Sequence, residues 1–320
     1  MSDGSHRFSE ETAQFRRELL AYCYRMVGSA SDAEDMVQDT YVRAWRAYAA
    51  FERRASMRSW LYTIATNVCL SALETRRIRV LPSTLAGPYD GDRPPTRVAE
   101  DVAWLEPLPD SWLAAVADPA SVAIARESLR LALVATLQYF PARQRAIFIL
   151  RELLAFSAEE TAQVLATTVA AVKSGLQRVR ARLDEIAPVR DELLAPTDAR
   201  ARQLLEGYIA AFERSDATIL IEVLRADATL EATPFRDWQS GRARCIQLLS
   251  TYVLGAPGDW KMVATGANQQ PAAAVYRRDA DGAWRPNGVV VLDVTATGVS
   301  RVTAFHHAPA LVEMFGAALG

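Results

Sequence analysis

From Phe8 to Arg79 apolar side chains return every three or four positions, and between Pro141 and Leu183 they do so again. That period places them on one face of a helix, so both stretches read as amphipathic α-helices. The first, FRRELLAYCYRMVG, stops at Gly28, where a helix can close in the left-handed conformation. Ser31 and Glu34 have the spacing of a capping box and open a second helix, with an inward stripe of Met36, Val37, Thr40, Tyr41, Ala44, Trp45 and Tyr48. After a break at 51–56, a third helix turns Trp60, Leu61, Ile64, Ala65, Val68, Cys69, Ala72 and Leu73 inward. Its other side carries Thr63, Thr66, Asn67, Ser71 and Glu74, and it ends in Arg76, Arg77, Ile78 and Arg79.

The later stretch holds two helices separated by a tight turn. Ser157 and Glu160 form a capping box, Ala166-Thr167-Thr168 allow only a turn, and Val169, Val172, Leu176, Val179 and Leu183 line one face of the helix that follows. The opposite face presents Ala170, Lys173, Ser174, Gln177, Arg178 and Ala181, small, polar and cationic groups that suit a major groove. Arg180 and Arg182 flank it and suit phosphates. Ala166 stands where such turns often use glycine.

Between these helical parts the pattern breaks. Seven of the 15 prolines fall between Val80 and Val122, so this segment is a linker that cannot hold one long helix. Within it, Trp104-Leu105-Glu106-Pro107-Leu108-Pro109-Asp110 is too apolar for a plain tether and predicts docking on a protein surface. After Pro188 and Pro196 the chain reads as α+β: helices near 199–212, 219–224 and 242–254, with strands near 228–233, 261–267, 272–277, 289–294 and 299–305.

A net charge of −2 does not by itself announce a nucleic-acid ligand. Between Pro141 and Leu183, however, seven cations stand against three acids, a local charge of +4. Cys23, Cys69 and Cys245 are far apart in sequence, and Cys23 and Cys69 sit in apolar helical patterns, which predicts buried free thiols rather than a disulfide framework or a metal site. No apolar run has the length of a membrane span, and the N-terminus lacks the form of a secretory signal. A cytoplasmic protein without a cofactor is expected.

The segments DAEDMVQDTYVRAWRAYAAF, SMRSWLYTIATNVCLSALETRR and FPARQRAIFILRELLAFSAEETAQVLATTVAAVKSGLQRVRARL resemble, in order, regions two and four of extracytoplasmic-function sigma factors of the sigma-70 family. The resemblance implies a multidomain protein with two all-α domains, region two over 8–79 and region four over 123–187, joined by the Pro-rich linker over 80–122. It implies two partners: core RNA polymerase, met at the β′ clamp and β flap, and promoter DNA. Asp32, Glu34, Asp35, Asp39, Arg43 and Trp45 match the polymerase-binding segment. Arg53, Arg54 and Ser56 match a loop that holds a flipped base of the −10 element, and Asn67, Arg76 and Arg77 match the helix meeting its upstream part. Lys173, Ser174, Gln177, Arg178 and Arg180 match the −35 recognition helix. Trp104, Leu105 and Pro107 belong to a motif seen in the linkers of sigma factors that carry an extra C-terminal domain.

Residues 199–317 resemble the SnoaL-like branch of the cone-shaped nuclear-transport-factor-two-like fold, which implies a regulatory α+β domain. That fold commonly encloses a pocket, for which Glu231, Trp238, Asn268, Gln270 and His306 are candidate lining residues and a small molecule the candidate ligand. No nucleophile, acid pair or metal set points to catalysis. The competing reading is a helix-turn-helix operator-binding regulator with an effector-binding or enzymatic C-terminal domain. It leaves the acidic helix, the loop at 53–56 and the Asn67 helix without work.

Overall fold

The computed structural model describes residues 2–52, 55–91, 93–98, 101–113, 128–186 and 192–316. They form two compact units, one of Met1–Arg79 with Trp112–Val189 and one of Val80–Ser111 with Arg190–Gly320.

The first unit is helical: α1 (Ser2–Thr12), α2 (Arg16–Val27), α3 (Ala30–Ala47), α4 (Met57–Thr75), α5 (Leu131–Leu137), α6 (Ala142–Phe148), α7 (Ala158–Val164) and α8 (Val169–Ile186). Local chemistry sets most of the ends. Gly28 closes α2 at φ 72°, and the Ser56 side chain accepts from the Ser59 N–H to open α4. At α7 the capping box is complete, with Glu160 N–H donating to Ser157 Oγ at 3.0 Å and Ser157 N–H to Glu160 Oε2 at 2.7 Å. The expected box at Ser31 is corrected: the cap of α3 is Ser29, which accepts from Asp32 N–H at 3.1 Å. Both serines offer the same hydroxyl, and the chain leaving Gly28 puts Ser29 in the extended conformation a cap requires. Ala166 takes the glycine role in the turn at φ 47°, a geometry costing an L-residue about 1 kcal/mol. A single π-helical turn, Ile149–Leu153, follows α6.

Helices α2, α3 and α4 pack into a bundle around Leu19, Leu20, Tyr22, Met26 and Leu61. Thr66, expected outside, is buried and shares a 2.7 Å hydrogen bond with the Tyr22 hydroxyl. That bond satisfies two polar groups at once, so the hydroxyl faces inward at little cost. All three cysteines are buried free thiols.

Arginines join this bundle to the helix-turn-helix. The buried Arg145 of α6 donates to Met26 O at the end of α2, to Gln138 Oε1 at 2.7 Å, and to the carbonyls of Gln138 and Phe140 at 2.9 and 3.2 Å. It therefore meets the negative ends of α2 and α5 together. Arg25 donates to Ser128 Oγ at 2.6 Å, and Gln138 Nε2 reaches Arg25 O at 3.2 Å. Burial pulls both guanidiniums down to about 10. Arg58 of α4 pairs with Glu18, donates to Leu154 O at 3.2 Å and lies 4.4 Å over the Phe156 ring.

The second unit is built on one sheet. Helices α9 (Ala199–Glu213) and α10 (Ala217–Val223) lead into β1 (Leu224–Thr233) and β2 (Trp238–Ser240). Then come α11 (Arg242–Tyr252), β3 (Trp260–Ala267), β4 (Gln270–Arg278), β5 (Trp284–Thr295), β6 (Gly298–Phe305) and α12 (Pro309–Met314). The strand order is β2-β1-β6-β5-β4-β3, with only β1 and β6 parallel. Leu204, Leu205, Tyr208, Phe212 and Leu249 from the helices meet Leu230, Ala273, Val290, Leu292 and Val302 of one sheet face in a single apolar core. The alternate residues form the other face, where one cross-strand row runs Glu231, Thr303, Val291, Ala272.

The proline-rich segment is part of this unit. Leu105 and Leu108 are fully buried, and Pro107 and Pro109 are buried beside them. Val80 and Leu105 are tied by Leu105 N–H donating to Val80 O at 3.0 Å, so the segment returns on itself. It pairs with the sheet through bridges Arg97↔Phe235 and Pro109↔Ala267. Its short helix Pro82–Thr84 starts on Glu231, whose Oε2 accepts from Ser83 N–H at 3.0 Å.

Candidate functional site

Helix α8 owes its exposure pattern to its apolar seam. Val172 and Val179 are fully buried and Leu176 nearly so, which leaves Lys173, Ser174, Gln177, Arg178 and Arg180 exposed. Arg178 donates to Ser174 Oγ at 2.7 Å, and Arg180 pairs with Glu152 at 2.7 Å. Surface pairs of this kind hold weakly, so both guanidiniums can exchange a neighbour for a phosphate. Lys173, Gln177 and the Ser174–Arg178 pair together form a donor-rich ridge one helix wide, which fits a major groove.

On α3 the candidates separate into two groups. Asp35, Asp39, Arg43 and Trp45 are exposed, and Asp39 and Arg43 pair at 3.0 Å. Asp32 and Glu34 are instead engaged inside the unit: Asp32 holds Arg76 and Arg79, each at 2.6 Å, and Glu34 holds Arg16. Trp45, expected on the inward stripe, is 43% exposed with its ring 5.4 Å from Phe8. Apolar period alone does not distinguish a core residue from one offered to a partner. Val42, which the sequence did not single out, is 45% exposed one helical turn from both Asp39 and Trp45.

Of the residues matched to the −10 element, Arg53 and Arg54 lie outside the described residues. Ser56 is exposed and spends its hydroxyl on capping α4. Asn67 is exposed two turns before the end of α4, and Arg76, although paired with Asp32, is exposed, as is Arg77. Trp60 stacks on Phe51 at 4.5 Å.

In the second unit the five pocket candidates are hydrogen-bonded to different partners. Three meet the linker: Glu231 through Ser83, Trp238 by donating its indole N–H to Ala86 O at 2.8 Å, and Asn268 by accepting from Leu108 N–H at 2.8 Å. Asn268 returns its own N–H to Leu108 O at 2.9 Å, so a buried amide reads the linker backbone twice. Gln270 is turned to Asp293, and His306 shares a 3.1 Å hydrogen bond with Asn287. Further along, Arg93 and the Thr96 N–H both reach Asp237, holding its carboxyl below its ordinary value despite partial burial. The linker is thus fastened to this unit at Glu231, Trp238, Asn268 and Asp237. These partners are 140 to 160 residues away in sequence, which is why no local motif revealed them.

Among the described residues no group of three or more His, Cys, Asp or Glu could hold a metal ion, and no helix is long and apolar enough to cross a membrane.

Models of sigma-70 region 2 and sigma-70 region 4 match residues 12–78 and 130–183. The chain is 45% identical over 300 residues to the ECF RNA polymerase sigma factor SigG of Mycobacterium tuberculosis, covering 93% of this chain and 80% of that protein. It is 28% identical to the ECF RNA polymerase sigma factor SigX of Bacillus subtilis, over 62% of this chain and 96% of the relative. The crystal structure of the Mycobacterium tuberculosis extracytoplasmic function sigma factor SigJ shares the fold, with a TM-score of 0.60 at 20% identity over 97% of this chain and 99% of that one. The match to SigG runs through the N-terminal helices as well as the helix-turn-helix, which an operator-binding regulator does not account for. A helical pair of sigma regions followed by an α+β domain, with a relative this similar over nearly its whole length, makes the chain a member of the extracytoplasmic-function RNA polymerase sigma factors.

Proposed function

We propose that the first unit selects promoters and the second controls when it does so. The face of α3 with Asp35, Asp39, Val42, Arg43 and Trp45 docks on the clamp of core RNA polymerase. Asn67, Arg76 and Arg77, with the loop of Arg53, Arg54 and Ser56, engage the −10 element. The α8 ridge of Lys173, Ser174, Gln177, Arg178 and Arg180 reads the −35 element in the major groove. The protein acts where the polymerase is, in the cytoplasm, and performs no turnover of its own.

The observation that carries the regulatory part is the burial of Leu105 and Leu108 in the compact unit that the linker shares with the C-terminal domain. Together they contribute about 4 kcal/mol to the hold on the linker. A linker held this way is withheld from polymerase, so the C-terminal domain sets the fraction of active protein. A small molecule acting there works by displacing the linker from Glu231, Trp238 and Asn268. Run-off transcription with core polymerase tests the reading. The full chain gives transcripts from defined starts, Lys173→Ala with Gln177→Ala lowers them about tenfold, as expected for losing one or two base contacts, and Leu108→Asp changes the yield without moving the starts. Absence of defined transcripts together with absence of binding to core polymerase sinks the sigma reading, whereas an unchanged yield with Leu108→Asp sinks only the linker control.

A further inference from the structure

At one end of the sheet the strand ends and the linker gather cations. Strand β4 finishes in Arg277 and Arg278, β5 begins with Trp284 and Arg285, and His306 and His307 follow β6. The linker adds Arg97, bridged to Phe235, whose ring lies 6.4 Å from that of His307. Arg277, Arg278, Asp279, Arg285, Pro286 and Asn287 line a cleft of about 360 Å³.

The arginines of this cleft are not equivalent. Arg285 is committed to Asp279 and Asp281 at 3.3 and 3.0 Å, and Arg278 Nε donates to Gly282 O at 3.3 Å within the same turn. Among the described residues Arg277 has no carboxylate partner; its guanidinium lies 5.2 Å over the Trp260 ring and makes no hydrogen bond to them. Asn287 Oδ1 accepts from the Nδ1–H of His306 at 3.1 Å, which leaves the Asn287 amide NH₂ as a second unused donor. Burial, with His307 and Arg277 nearby, holds His306 down to about 4, and burial with Arg97 and Arg277 lowers His307 as well. Both imidazoles thus sit in a field that favours their neutral form, with Asp279 and Asp281 the local carboxylates, both held by Arg285.

We propose that this cleft binds a small dianionic oxyanion of the phosphate or phosphomonoester class, gripped by the Arg277 guanidinium and the Asn287 amide with Arg278 at the rim. A guanidinium fork matches two oxygens of a phosphate in one plane. Charge favours a dianion over a monocarboxylate: Arg277, Arg278 and Arg285 against Asp279 and Asp281 leave +1, and Arg97 raises it to +2. Because Arg97 belongs to the linker, an anion here also favours the docked linker.

The chain has three histidines, His6, His306 and His307, so their ring C–H signals in the full-length protein report the site with an internal control. Inorganic phosphate is titrated at constant ionic strength, with acetate as the monoanion comparison. The expected result is a saturable shift of the His306 and His307 signals, with a midpoint of about 1 mM or lower. The pKa of both rises by about one pH unit, and His6 does not respond. Arg277→Met weakens binding about tenfold or more. Asn287→Asp, which replaces a donor with a like charge, removes it without touching the arginines. Shifts that grow linearly and equally with acetate, or a midpoint unmoved in both variants, overturn the proposal.

Discussion

Arg145 and Leu108 have comparable tasks in the two units, each fastening a stretch of chain to another more than a hundred residues away, yet they do it by opposite means. Arg145 ends in carbonyl oxygens of α2 and α5, and water could solvate the same guanidinium and the same carbonyls if the helices parted. Its net contribution is the small difference between two well-hydrogen-bonded states. The backbone of Leu108 could make the same exchange with water, but its side chain has no such alternative, because separation returns its apolar surface to water. The join between the sigma regions thus adds exchangeable bonds to its buried Tyr62–Phe156 contact, and the hold on the linker adds exclusion from solvent to its hydrogen bonds.

The sharpest way to break this contrast is to thin the apolar hold. Leu105→Ala combined with Leu108→Ala removes about 5 kcal/mol, and limited proteolysis will then cut within 80–111 long before the rest of the chain. An unchanged cleavage pattern means that the hydrogen bonds to Glu231, Asn268 and Asp237 hold the linker without the leucines. Next in size is Arg145→Ala, which strands the carbonyls of Met26, Gln138 and Phe140 and costs about 3 kcal/mol. Urea unfolding of the helical unit reports it, and Arg145→Lys recovers only part, since one ammonium cannot span both helix ends; full recovery with lysine removes the argument from fork geometry. Smallest is Ala166→Gly, which touches neither join and stabilises the helix-turn-helix by about 1 kcal/mol by relieving φ 47°. A lower melting temperature there means the alanine methyl has a packing role that outweighs its backbone cost.

Features decided by neighbours in sequence were legible before any coordinates. The capping box at Ser157, the left-handed close at Gly28 and the exposed ridge from Lys173 to Arg180 all follow from spacing within one helix. Three kinds of feature were not. Thr66 faces inward because a tyrosine 44 residues away supplies its hydrogen bond. The three-residue β2 and the six-residue α12 are too short to carry a period. The linker reads as an apolar proline-rich run, but its partners lie on β1, on the β3–β4 turn and around Trp238, and nothing between them in sequence marks the pairing.

That pairing also has a history in time. The hydrogen bond from Ser83 to Glu231 spans 148 residues, which at ribosomal rates separates their emergence by about ten seconds. Region two is complete before that interval begins and region four is synthesised within it, before the strand that meets the linker exists. Every newly made molecule therefore passes through a stage with a complete pair of promoter-reading helical parts and an uncovered linker, and the restraint exerted by the C-terminal domain begins only when its last strands have joined the sheet.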